Sequence, residues 1–503
     1  MSVSLFWVSG VWFIDFLMDI FDRKDPWRKF RAFWSNKWAV LITSLFALHI
    51  LGLIHTSDWN YAMRDLRIKV PLLILPFVVS GLPRLTTREF KTLIIAFIIA
   101  VFIATLCCVL VYWVVVPREY NDIREITHLF VVNISHIRLS LMSALAIAIA
   151  GVMAVQSRKN WVFAPIALFM LYFLWVIESM TGIFAFAAAM ALYFFYQGMN
   201  HGNQTTKIIQ ISSALIIVAS SIWLVSSAYN DYHQLAKEYD PSTLPEFTPY
   251  GERYDHKLDN TQVENGHYVW WYIAWEELEN TWAEKSPIGL HDKDANGQEL
   301  YGTLVRYMSS KGLTKDRDGV NQLTAADIRK IESGVASASA GKRSGLRARL
   351  DRIFLEVDLY LDGGNPTGHS LTQRLEFWRA GWYSFKNNWF VGVGTGDVPD
   401  TMAASYEAIN SRLSPKSRLR SHNQYLTFAI AFGIVGLLWI AYVLLYPVRK
   451  GYLKDFHFFL FYAIALISLI NEDTLESQAG LSFFTFLLCI ISVARTPASE
   501  INS

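Results

Sequence analysis

Arg418, Arg420, His422 and Asn423 stand immediately ahead of a long apolar run in "SRLRSHNQYLTFAIAFGIVGLL", residues 417–438. A histidine at the mouth of such a run, near guanidinium groups, has the parts needed to move a proton beside an anion. The positive end of the following helix and the two arginines disfavour imidazolium. His422 therefore reads as a neutral ring able to take a proton from a hydroxyl. A histidine that only caps the helix or meets lipid headgroups is the plain alternative. Leu426, Ala429 and Gly433 follow on the same helical face.

Upstream, "LTQRLEFWRAGWYSFKNNW" sets Leu371, Leu375, Trp378, Trp382, Phe385 and Trp389 alternately four and three apart, one apolar stripe on a helix. Arg374, Arg379 and Lys386 flank it. A tryptophan-rich stripe with flanking cations suits a helix lying in the membrane interface; packing inside a domain core is the alternative. Arginine offers planar, bidentate recognition of phosphate. Arg374, one turn ahead of Trp378, is the first choice for a diphosphate. Arg379, Arg418 and Arg420 are further candidates. So is Arg138, beside His136 at the end of another apolar run, where a boundary arginine is functional by default unless it merely snorkels.

Other patterns carry less chemistry. "DKDANGQEL" begins like a calcium loop, with Asp292, Asp294, Asn296 and Gly297, but Thr303 stands where a bidentate glutamate is needed. Gly392, Gly394 and Gly396 of "GVGTGD" lack the dinucleotide spacing and are expected to make the turn after the tryptophan-rich helix. "GKRSGLRARLDR" reads as a solvated basic helix face. No Cys/His cluster suggests zinc, and no Gly-x-Ser-x-Gly suggests a hydrolase. No metal or other cofactor is expected.

What must position these residues is a membrane-embedded scaffold. The 503-residue chain is 53% hydrophobic and 17% charged, with mean hydropathy +0.26 and 18 Trp, which excludes an ordinary soluble enzyme. Eleven runs, at 3–21, 38–55, 67–82, 90–116, 137–155, 161–178, 180–197, 208–229, 423–448, 456–471 and 479–495, predict spans. The expected fold is an all-α polytopic membrane protein of about 11–12 transmembrane helices with a large, mostly helical periplasmic loop domain. Residues 1–229 would hold about eight helices, 230–421 the loop domain, and 422–503 about three. Cys107, Cys108 and Cys489 lie in apolar runs, so no disulfide framework is indicated. The first run lacks the basic region and cleavage site of a secretory leader. Lys/Arg-rich connections follow the odd-numbered runs and mark the cytoplasmic side. The long polar stretch ending at His422 then faces outward, as does the N-terminus. Within that stretch "LTAADIRKIESG" predicts a helix capped by Thr324 and ended by Gly334.

"HNQYLTFAIAFG", His422 to Gly433, resembles the histidine motif of the O-antigen ligase family. "RLEFWRAGW" followed by "VGVGTGD" resembles its arginine–tryptophan helix and Gly-x-Gly turn. "LPRL", "SHIRLS" and "YMSSKGLTKDRDGV" are similar to Bacteroidetes-type members. The family includes O-antigen polymerases and protein O-oligosaccharyltransferases. The resemblance implies inverting, metal-independent glycosyl transfer at the outer face of the inner membrane. The donor would be a glycan on undecaprenyl diphosphate, and the acceptor a hydroxyl, most simply on lipid A–core and otherwise on a second glycan or a protein. A lipid-linked donor fits an outer site, where nucleotide sugars and ATP are absent. His422 would be the general base. Arg374, with Arg138, Arg420 and Arg379, would hold the diphosphate, supported by Asn423, Trp378 and Gly433. Many relatives carry a further arginine in a Ser-Arg-Gly turn; here "SMTGIF" has Thr181 instead. Arg138 or Arg420 is left to substitute, and Glu178 beside that turn could hold an arginine. A transporter of lipid-linked glycan is the rival from another class. Its expected mark is charge at mid-membrane depth, whereas the notable charges here gather at the outer ends of the runs.

Overall fold

The computed structural model describes residues 2–21, 25, 27–115, 126, 127, 134–235, 240–295, 299–338, 345–361 and 363–494. In chain order the helices begin with α1 (Ser2–Phe21), α2 (Arg28–Ser35), α3 (Lys37–Leu51), α4 (Trp59–Gly81) and α5 (Thr87–Leu110). They continue with α6 (His136–Gln156), α7 (Phe163–Val176), α8 (Met180–Asn200) and α9 (Gln204–His233). Shorter ones follow: α10 (Trp275–Ala283), α11 (Leu300–Ser310), α12 (Arg317–Asn321), α13 (Ala325–Glu332) and α14 (Leu346–Leu361). The last are α15 (Ser370–Asn387), α16 (Val398–Ala408), α17 (Gln424–Arg449), α18 (Phe456–Asn471) and α19 (Gln478–Leu488). The fold is helical, with almost no strand among the described residues. Over the described residues, each of the eleven apolar runs falls mainly on a helix.

Among the described residues, five helices are long and apolar enough to cross a membrane: Thr87–Trp113, which runs past α5, then α6, α8, α9 and α17. α3, α7, α18 and Gln478–Val493 are apolar but shorter. Local chemistry fixes their ends. Thr86 and Glu89 form a reciprocal capping box at α5, Asp58 caps α4 through the Tyr61 amide, and Ser179 caps α8 through the Gly182 amide. α4 departs from the pattern. It carries Pro71 and Pro76 inside the helix and buries Asp65 and Lys69, which stand at the head of the 67–82 run.

The chain divides into two compact units, residues 1–218 with 367–503, and residues 219–366. In the first, α6 packs against α5, α7, α8 and α18, and its Ala144–Ala150 stretch is buried. α4 packs against α2, α3 and α19, and α15 against α16 and α17.

The second unit gathers a core of its own, including Leu278, Trp282, Leu304, Met308 and Ile331. Its only named strands among the described residues, Val263–Glu264 and His267–Tyr268, pair through an Asn265–Gly266 turn with both φ positive. Thr324 caps α13 in a box with Asp327, and Gly334 ends it at φ 82°, as the sequence predicts. The calcium-like loop is closed on itself: Thr303 Oγ1 donates to Asp294 at 2.7 Å, while Asn296 and Gly297 lie outside the described residues. The basic run is not simply a solvated face. Arg349 is buried with Glu356 at 3.7 Å, and Arg347 pairs with Asp231. Lys315, almost wholly buried, donates to the Trp271 and Tyr268 carbonyls at 3.0 and 3.2 Å. Burial pushes its amine down to about 7, with Asp316 pulling the other way.

Candidate active site

α17 is not one continuous helix. At Gly433 the backbone swings to φ 61°, ψ −160°, a conformation open only to glycine, and the helix restarts. The chain following α15 takes up the freed backbone groups. Val393 and Gly394 amides donate to the Ile430 and Ala431 carbonyls, both at 2.9 Å, and the Ile434 amide donates to the Trp389 carbonyl at 2.7 Å. A Cβ at Gly433 would collide with the Phe390 carbonyl, and one at Gly392 with the Ala431 and Phe432 backbone. The Gly-x-Gly turn and the glycine of the histidine motif are therefore two halves of one backbone junction. Asp397, just beyond the turn, accepts from the Ser57 and Asp58 amides and so ties the junction to the start of α4.

His422 sits directly ahead of α17 with a left-handed backbone, φ 46°. Capping falls to its neighbour: Asn423 Oδ1 accepts from the Leu426 amide at 3.0 Å. The imidazole is thus left for another task. Its ring stacks on Phe377 of α15, centroids 5.3 Å apart. The His422 amide donates to Asp473 Oδ2 at 3.0 Å, and Thr427 holds the other Asp473 oxygen at 2.9 Å. Nδ1 is buried without a hydrogen-bond partner, 4.0 Å from Glu472 Oε2, while the side chain as a whole is 31% exposed.

Arg374 reaches the same carboxylate. Its Nη2 donates to Glu472 Oε1 at 2.6 Å, Nη1 to the Ser370 carbonyl at 2.8 Å and Nε to the Asn471 carbonyl at 3.2 Å. Each terminal nitrogen keeps one further N–H, so a fork remains for an incoming anion. Arg420 is anchored instead, its Nη1 donating to Tyr61 at 2.6 Å and lying 2.9 Å from Glu476. Arg379 pairs with Glu376 of its own helix, and Arg418 with Glu407. Trp378 is half-buried, and its buried indole N–H has no hydrogen-bond partner. α15 buries Thr372, Glu376, Phe377, Ala380, Gly381 and Ser384. On its tryptophan stripe, Trp382 and Trp389 remain more than half exposed.

The residues that sequence reasoning missed come from one short connection, Asn471–Ser477. Glu472 serves Arg374, Asp473 serves His422, and Glu476 receives Arg420, Lys69 at 2.8 Å and Gln424 at 2.7 Å. Burial opposes the charge on Glu476, yet Arg420 and Lys69 hold its carboxyl well below the usual carboxylate range. Burial pushes Asp473 up, with Arg420 pulling against it. The signal in the sequence is three acidic residues, Glu472, Asp473 and Glu476, in the short connection "INEDTLESQ" between two apolar runs.

Beside this connection lies an apolar pocket lined by Leu141, Leu145, Phe461, Ile464 and Phe483, with Ser468 and Thr474 also in its wall. Arg138 opens onto it. Among the described residues Arg138 makes no hydrogen bond or ion pair. Glu178 occupies the turn ahead of α8 at φ 51°. Gly182, four residues on, packs so closely on Ser140 that a Cβ would lie 2.8 Å from that side chain, which sets this turn beside the Arg138 end of α6. No group of three or more His, Cys, Asp or Glu side chains is placed to hold a metal among the described residues.

Residues 330–441 match the family model of O-antigen ligase. That match likens this segment of the chain to the O-antigen ligase family. No curated protein matches it. In this O-antigen ligase-type chain the matched segment carries α15, the Gly-x-Gly turn, His422 and the break at Gly433. Arg138, Glu178 and the acidic connection lie outside the match. The five long apolar helices among the described residues, with this match, point to a multi-pass membrane protein.

Proposed function

We propose that the protein transfers a glycan from a lipid diphosphate, undecaprenyl diphosphate by family resemblance, to an acceptor hydroxyl, most simply on lipid A–core. The observation that carries this reading is the carboxylate of Glu472, which lies between the guanidinium of Arg374 and the ring of His422. His422 takes the acceptor proton on Nε2, the edge opposite the buried Nδ1. The acceptor oxygen then attacks the anomeric carbon, and the bond to the diphosphate breaks with its electron pair on the departing phosphate oxygen. The configuration inverts. Glu472 stabilises the imidazolium that forms, as the third member of an acid–base relay does.

Arg138 and the free N–H groups of Arg374 receive the diphosphate charge. The apolar pocket beside Arg138 suits the first isoprene units of the donor. Arg138 also stands beside the turn in which relatives carry a further arginine, which supports it as the substitute for Thr181. Arg420, Arg379 and Glu178 serve the frame around the site in this reading, as do Asn423, Trp378 and Gly433. The positive-inside pattern supports an outward, periplasmic site at the inner membrane, with residues 230–421 as the outer loop domain and the α15 tryptophan stripe at the interface.

The test is transfer by purified protein given undecaprenyl-diphosphate glycan and, separately, lipid A–core, a second donor molecule or a serine peptide. Product with one acceptor identifies it. His422→Ala should bind donor yet lose about 10²–10⁴-fold in rate, and His422→Asn should not recover it. An active His422→Asn enzyme would remove the histidine from the chemistry.

A further inference from the structure

The N-terminal half of α4 carries Tyr61, Asp65 and Lys69, four residues apart and so on one face, alongside Asn60, Arg64 and Arg67. Each end of the row from Tyr61 to Lys69 holds a segment of the proposed site. The Tyr61 hydroxyl accepts from Arg420, two residues ahead of His422, at 2.6 Å. Lys69 donates to the Leu475 carbonyl at 2.7 Å and lies 2.8 Å from Glu476. Asp65 stands between them, 3.7 Å from Lys69 Nζ and 4.0 Å from His49 Nε2. The His49 ring is itself fixed through Nδ1 on the Leu45 carbonyl at 2.7 Å.

The Leu475 peptide is held at both of its polar groups by two different helices. Its carbonyl takes Lys69 of α4, and its amide donates to Gln424 of α17 at 2.9 Å. Two and three residues upstream are Asp473 and Glu472, which contact His422 and Arg374. A fully buried ammonium is a poor stabiliser, because apolar packing commonly does as well or better. What such a group supplies is geometry.

We infer that Tyr61, Asp65 and Lys69 form a positioning spine, fixing the His422 segment and the Glu472–Glu476 turn in register with each other. The inference rests on the reading of His422 as the base. None of the three touches the reacting groups, so their effect is on the placement of Glu472 and Asp473 against the imidazole and Arg374.

Two variants test it with little disturbance of charge balance. Tyr61→Phe removes one hydroxyl. Lys69→Met combined with Asp65→Asn removes one charge of each sign and leaves the Glu476–Arg420 pair intact. Melting temperature, donor KM and kcat per folded molecule are measured on the purified full chain, with His422→Ala in parallel. The double variant should keep its donor KM and lose about 10–100-fold in kcat, the scale of a misplacement near 1 Å. Tyr61→Phe should lose about 3–10-fold in kcat, a milder form of the same misplacement. Lys69→Arg, which keeps a charged donor, should recover part of the rate. A lower melting temperature with full kcat per folded molecule would mean a structural role only and overturn the inference. Should the double variant fail to fold, Tyr61→Phe decides alone, and an unchanged kcat there overturns the spine. An active His422→Ala would sink the base assignment instead, whereas an inactive one beside fully active spine variants removes the spine and leaves the base.

Discussion

Replacing Glu472 by Gln keeps the shape of the side chain and removes its charge. Its Oε2 lies 4.0 Å from Nδ1 of His422. Two unit charges at that distance attract by about 4 kcal/mol at an effective dielectric of 20 and about 1 kcal/mol in bulk water. The His422 side chain is 31% exposed and that of Glu472 16%, so the interaction belongs between these limits, at roughly 2–3 kcal/mol. That attraction exists only while the imidazole holds the acceptor proton, so its loss falls on the chemical step. The expected result is a kcat lower by about 30–150-fold, at 1.36 kcal/mol per decade, with donor KM raised only slightly. Arg374 would retain the Ser370 and Asn471 carbonyls, which limits its drift. Single-turnover transfer with saturating lipid-linked donor isolates the step. A Glu472→Gln enzyme within threefold of the parent rate would refute the placement of Glu472 as partner of the imidazolium.

Gly433→Ala puts a Cβ into the Phe390 carbonyl and forces a glycine-only conformation, for a cost of at least about 3 kcal/mol; melting in detergent should fall by several degrees, while Gly151→Ala, with nothing within 4 Å, should not move it. Arg138→Ala should raise donor KM with a smaller change in kcat, and Arg138→Lys should recover little, because the planar fork is lost. Lys315, near 7 in the folded chain and 10.5 when unfolded, is protonated only in the unfolded state between those values. Stability of its surroundings should therefore rise as pH goes from 7 to about 9.5, read as growing amide protection at Ala274 and Lys315, relative to intrinsic exchange at each pH, in the full chain. Lys315→Met should abolish that slope.

The helices were legible because long apolar runs leave the backbone no other way to satisfy its hydrogen bonds. Periodicity also identified which residues of α15 share a face, but not which face turns inward. The inner face uses Ala380, Gly381 and Ser384, and a Cβ on Gly381 would lie 2.6 Å from Leu426, so small residues allow α15 to approach α17 closely. Amphipathicity alone would have buried the tryptophans. His422 could be found from its type and its position ahead of a helix. Its acidic partners could not, since Glu472 and Asp473 arrive from a connection fifty residues later through the packing of α17 against α18 and the Thr474–Glu476 turn. Gly433 was visible as a position; the break it makes was not, because the groups completing it belong to residues 389–394.

That break bears on how the chain enters the bilayer. At 1.5 Å per residue, Gln424–Phe432 extends about 14 Å and Ile434–Arg449 about 24 Å, so neither piece alone crosses a hydrocarbon layer of about 30 Å. Amides and carbonyls at the junction have no solvent to fall back on in lipid. Residues 389–394 leave the ribosome well before 430–435, so they have to wait at the membrane until their partners arrive. α17 consequently cannot be released sideways into lipid as a finished rod. Its insertion is completed by tertiary structure, and biogenesis of the histidine-bearing half depends on a segment made more than thirty residues earlier.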